Sequence, residues 1–142
     1  MRPRDEGGQI TLLIIGFVLI AVLAVAVVAN ASKAFVYRRS LASWADGAAV
    51  TAAQSVAEEA IYAGPRVDEL PLSGDAVEVA VADYVARNGL PDRFEDFAAS
   101  VDVGDDGATV TVELSARVSF VLGGDDGGIS IIADATATVP LR

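Results

Sequence analysis

The sequence predicts an α+β protein whose long N-terminal transmembrane helix continues into a small domain with a short helix and a three-stranded antiparallel sheet. Three observations carry that reading. Residues 10–29 form an apolar run without a charged side chain, and residues 31–62 keep helical spacing with no proline. Residues 97–139 then alternate apolar and polar side chains around two Gly-Asp turns.

The run Ile10 to Ala29 comes after a short tail, residues 1–9. Twenty residues rising about 1.5 Å each make a helix about 30 Å long, the thickness of a bilayer's hydrocarbon core. Two readings compete. Met1 to Gln9, the run and then Ala29-Asn30-Ala31 also fit a secretory signal peptide with a small-x-small cleavage site. The run is longer than the usual apolar region of such peptides, about 7 to 15 residues, and cleavage would sever a continuous helix, so a retained single-pass anchor is favoured. Orientation stays open on the residues alone. Lys33, Arg38 and Arg39 behind the helix lean toward a cytoplasmic C-terminus, whereas a large acidic domain is more readily explained as the exported part.

Beyond the anchor, about 110 residues are enough for one modest core. With no cysteine and no histidine, disulfides, thiol nucleophiles, the usual zinc ligands and the commonest general base are excluded. Charge is segregated. Residues 1–39 are net positive, while residues 40–142 carry five arginines against eighteen acids, which repels phosphate backbones and argues against nucleic acid as a partner.

The extension, residues 30–63, has Gly47 as its only glycine. Ala34, Leu41, Ala45, Ala48, Ala52, Val56 and Ala60 recur at steps of three, four or seven and share one face. Span and extension together predict about 53 residues and roughly 80 Å of helix, ending at the Gly64-Pro65 breaker. The alanine stripe either packs on the chain's own domain or forms a seam for neighbouring subunits. Trp44 lies about 22 Å past Ala29, too far for a headgroup belt on a straight helix, so packing on the globular part or a partner is expected. Arg38 and Arg39 have Asp46 as a nearby acid, with an exposed, solvated pair as the default.

Residues 64–142 make the small domain. Ser73 caps a second helix with Asp75 and Glu78 in its first turns and Val77, Val81, Tyr84 and Val85 as its apolar face; Asn88-Gly89 and Pro91 stop it. Phe97, Ala99, Val101 and Val103 alternate with Ala98, Ser100 and Asp102 before a turn at Gly104 to Gly107. Val110, Val112, Leu114, Ala116, Val118, Phe120 and Leu122 mark the inner face of a second strand, and after Gly123 to Gly128 the residues Ile129, Ile131, Ala133, Ala135 and Ala137 mark that of a third. Consecutive strand-turn-strand units imply an antiparallel meander.

Chemistry motifs are missing. There is no phosphate loop, no Gly-x-Ser-x-Gly elbow and no histidine dyad. The acid pairs Glu58-Glu59, Asp68-Glu69, Asp105-Asp106 and Asp125-Asp126 are neighbours that point apart, and Asp-Asp-Gly in a hairpin loop is mainly turn chemistry. The expectation is a protein that is not an enzyme, with no cofactor, no metal and no small-molecule substrate.

Two blocks carry a family resemblance. Gly8-Gln9-Ile10-Thr11 leads into the apolar helix, and Tyr37-Arg38-Arg39-Ser40-Leu41-Ala42-Ser43-Trp44-Ala45-Asp46-Gly47-Ala48-Ala49 continues it. Over residues 7 to about 57 the chain resembles TadE/TadG-like proteins of the tight-adherence (Flp) pilus assembly system, and its alanine-rich, valine-rich, acidic character looks actinobacterial. The resemblance implies a pilin-like layout and a role as a minor pilin or assembly factor of a Tad/Flp-type pilus or related secretion apparatus. It also implies a C-terminal domain outside the cell membrane, with membrane lipid and other pilus or secretion-system subunits as partners. Some members are cut after a glycine that precedes a glutamate at the fifth mature position; a cut after Gly8 would put Leu13 there, so an uncleaved chain is expected. Carried over residue by residue, the resemblance marks Arg38, Arg39, Leu41, Ala45, Asp46, Ala48 and Ala49 as a packing and assembly surface. The other reading is a signal-peptide-bearing or anchored extracytoplasmic ligand-binding domain unrelated to pili.

Overall fold

The computed structural model describes residues 7–62, 74–105, 108–120 and 127–138. A single helix, α1 (Gly7–Tyr62), runs for 56 residues, about 84 Å. It begins inside the tail, because Gly7 to Gln9 contain no proline to prevent helical hydrogen bonding. Neither Gly47 nor the change from apolar to alanine-rich sequence interrupts it. The breaker at Gly64-Pro65 and the cap at Ser73 lie outside the described residues.

Among the described residues two more helices and a sheet follow: α2 (Gly74–Arg87), α3 (Leu90–Arg93), β1 (Glu95–Val103), β2 (Thr109–Ser119) and β3 (Gly128–Thr138). The sheet is an antiparallel meander in the order β1-β2-β3, so β2 is central and β1 and β3 are its edges. Register sets Val112 between Val101 and Ala135, and Leu114 between Ala99 and Ala133. Because side chains alternate along a strand, this alignment puts Val110, Val112, Leu114, Ala116 and Val118 on one buried face. α1 lies over β2 and β3 on that face, and α2 fills in beside it toward β1.

The core joins the alanine stripe to the sheet. Leu41, Ala45, Ala48, Ala49 and Ala52 of α1 are buried with Val77, Val81 and Val85 of α2 and the inner residues of β2 and β3. Alanine brings the α1 backbone close to the sheet, and larger side chains from the opposing elements fill the remaining space. At the lower end Phe94 takes the edge of the Tyr37 ring at 6.0 Å and stacks on Phe97 at 6.3 Å.

Local chemistry explains the connections. α2 ends where Gly89, at φ 60°, enters the left-handed region that glycine tolerates, with its N–H donating to Ala86 O. Asn88 Nδ2 donates to Tyr84 O, closing the same end. Pro91 stops α2 but begins something new: its fixed φ suits a first helical turn, and α3 is the result. β1 carries a bulge between Glu95 and Ala98, with Asp96 at φ 49°. Gly104 N–H donates to Thr109 O, and Phe120 N–H to Gly127 O, across the two hairpins. Of the acidic turns, Asp106, Gly107 and residues 121–126 lie outside the described residues, as do Leu122 and Val139.

Candidate functional site

The segment of α1 that leaves the apolar run and enters the head is where the sequence-marked residues gather. One helical turn carries about 3.6 residues, so Leu41, Ala45, Ala48 and Ala52 face one way and Arg39, Ser43, Asp46 and Val50 the other. The first group is buried and the second exposed. Leu41, Ala45, Ala48 and Ala49 therefore contact the chain's own sheet and α2, while Arg38, Arg39 and Asp46 face solvent. Among the described residues no ion pair joins either arginine to Asp46.

Flanking contacts fix the helix to the head at two heights. Near the span, Lys33 Nζ donates to Ser119 O at 2.8 Å and sits 5.8 Å from the centre of the Tyr37 ring. Higher up, Trp44 presents its indole to the edge of Tyr84 at 6.3 Å, and the Arg93 guanidinium lies over that indole at 5.7 Å. Gly47 supplies the space for this arrangement, since a Cβ there would overlap the Tyr84 hydroxyl and come within 3.1 Å of Cζ. Trp44 thus packs on the globular part. Sequence reasoning does not single out Lys33, Tyr84 and Gly47 as a positioning set. Their signals are slight: a first cation after the span, a tyrosine on the α2 face, and a lone glycine in an otherwise alanine-rich helix.

Polar groups do not converge on a reaction centre among the described residues. No buried polar or charged side chain is found there, and no three carboxylates come together in a metal-binding group. The ion pairs are surface features: Arg87 with Asp83 at 2.8 Å along α2, and Arg117 with Asp96 at 3.6 Å beside the bulge. Ser119 Oγ donates to Glu95 Oε2 at 2.5 Å, tying β2 to the start of β1.

Among the described residues α1 alone is long and apolar enough to cross a membrane, and none of its most apolar stretch is buried in the head. One helix thus combines a lower part apolar enough for a membrane anchor with an upper part that is a core element of the head. Residues 8–55 match the family described as "Putative Flp pilus-assembly TadE/G-like". The match covers the span and the joint that holds Arg38 to Ala49, and stops short of α2 and the sheet. No curated protein matches the chain, and no solved structure does.

Proposed function

We propose that this chain is a single-pass, pilin-like component of a Tad/Flp-type pilus or related secretion apparatus, acting as a minor pilin or assembly factor. Its head lies on the extracytoplasmic side, and its partners are membrane lipid and other subunits of the apparatus. One observation carries the proposal: the family match falls on the stretch where one unbroken helix passes from the span into the core of the head. That stretch presents Arg38, Arg39 and Asp46 to the outside while Leu41, Ala45, Ala48 and Ala49 hold it rigid. An assembly subunit needs both properties, since a neighbour can read a charged surface only if that surface keeps its shape. The alanine-rich, acidic composition agrees with an actinobacterial source. Cross-linking intact membranes and isolating the full-length chain tests the assignment. Recovery of a pilus ATPase, platform membrane proteins or a small Flp pilin supports it; their absence in the presence of efficient cross-linking counts against it. Protease added to intact spheroplasts should remove the head, and a protected head would reverse the orientation.

A further inference from the structure

At the lower end of the head, exposed apolar side chains continue the surface of the span. Phe35 and Val36 of α1 are 68% and 62% exposed, and Ile129 and Ile132 of β3 are 41% and 52% exposed. Ala34, Phe35 and Arg38 form one wall of an open groove whose other wall is Ile129 to Ile132. The two sheet edges differ. β1 is guarded by Glu95, the bulged Asp96 and Asp102, whereas residues 127–133 beside and within β3 carry no charge. Edge strands facing water are normally blunted by charges or bulges, so the lower end of β3 is built for a less aqueous neighbour.

Its height identifies that neighbour. From Ile10 to Val36 the helix rises about 40 Å, which matches a bilayer including its headgroup zones, about 40 to 45 Å. Side chains on a helix tilt toward its N-terminus, so Phe35, Val36 and Arg38 lean toward the bilayer. The Lys33 bond to Ser119 O brings the end of β2 to the same level, and Ile129 pairs with Val118 one residue away. Charge on the α1 and β3 side of the base agrees with this placement, the acids at the same level, Glu95 and Asp96, being on β1 at the opposite edge of the sheet. Residues 10–45 hold Lys33, Arg38 and Arg39 and no acid, although the remainder of the chain is strongly acidic. Among the described residues no carboxylate lies within ion-pair distance of Arg38.

We propose that the base of the head docks on the bilayer surface, with Phe35, Val36, Ile129 and Ile132 at the boundary of headgroups and acyl chains and Arg38 on an anionic phospholipid phosphate. The head is then held in one orientation on the membrane instead of swinging on its helix. The inference rests on the membrane span and not on the pilus assignment.

The chain has no cysteine, so single-site labelling is direct. Ile132→Cys and, as reference, Val79→Cys in the first half of α2 each carry a fluorophore on the full-length protein in nanodiscs of mixed phosphatidylglycerol and phosphatidylcholine. A nitroxide on the lipid headgroups is expected to quench the label at position 132 several-fold more than the label at position 79. Arg38→Glu, or nanodiscs of phosphatidylcholine alone, should reduce the docked population, on the order of fivefold for each basic contact with the anionic surface that is lost. Equal quenching at the two positions overturns the proposal. So does quenching at position 132 by a nitroxide carried on a second copy instead of on lipid, which would make the groove a protein interface. Quenching indifferent to both Arg38→Glu and lipid charge overturns the headgroup pairing.

Discussion

Gly47→Ala sets two physical effects against each other. Alanine is favoured over glycine inside a helix by about 1 kcal/mol, so propensity alone predicts a more stable protein. The structure predicts the reverse, because the new methyl group would overlap the Tyr84 hydroxyl and crowd Cζ at 3.1 Å. Moving the ring away disturbs its edge contact with Trp44 at 6.3 Å, worth about 0.5 to 1.5 kcal/mol. Overpacking adds about 1 to 3 kcal/mol, which leaves the substitution destabilising by about 1 to 3 kcal/mol. Tyr84→Phe removes the overlapping oxygen, so the alanine should cost less in that background, with a coupling of about 1 to 2 kcal/mol across the double-mutant cycle. The chain's single tryptophan is Trp44, which makes its emission during urea unfolding in detergent micelles a direct reporter of the head. Stabilisation by about 1 kcal/mol in both backgrounds would refute the close approach and leave helix propensity as the deciding effect.

The same geometry sets other expectations. Leu41→Ala removes a fully buried side chain and should destabilise the head by about 2 to 5 kcal/mol, whereas Val50→Ala on the exposed side should change it by less than about 0.5 kcal/mol; equal effects in urea unfolding would misplace the buried face. Asp46→Ala, exposed and outside the core, should leave unfolding within about 0.5 kcal/mol of the parent but impair assembly of the apparatus in cells, and normal assembly would remove Asp46 from the interaction surface. Spin labels on Gly16→Cys and Asp46→Cys in nanodiscs should give a narrow distance distribution near 45 Å, about the rise of one continuous helix; a short or broad distribution would show a joint between span and head.

Much of the architecture is legible in the sequence because long periodic segments leave little freedom. The span comes from hydropathy, its extension from the absence of proline, and the meander from strict alternation between Thr109 and Ser119. The inner faces of β2 and β3 agree with the sequence pattern over Val110 to Val118 and Ile131 to Ala135, whereas Phe120 lies just past the end of β2 and Ile129 at the lower end of β3 is 41% exposed. Ala99 also keeps its inner register opposite Leu114 yet stays exposed, because β1 is an edge and the space between it and α2 is an open groove. Tertiary effects are not legible. The stop after Arg87 is read correctly, but the short α3 that Pro91 opens is not, and the bulge at Asp96 depends on how β1 meets β2. The marked block from Arg38 to Ala49 can be found from its motif, but motif alone does not separate buried alanines from exposed charges. That division follows the helical spacing of Leu41, Ala45, Ala48 and Ala52, with Ala49 buried beside them, whereas the partnership of Lys33 with Ser119 far along the chain depends on how the head folds back on α1.

If this chain works as an assembly component of a pilus or related secretion apparatus, as proposed, its host needs it to build or export the filament. The decisive measurement deletes it in its host and restores it from a plasmid, with surface filaments counted by electron microscopy and secreted pilin measured alongside. Filaments or pilin export should fall sharply on deletion and return with the full-length chain. Filaments and export unchanged by the deletion would contradict the proposal.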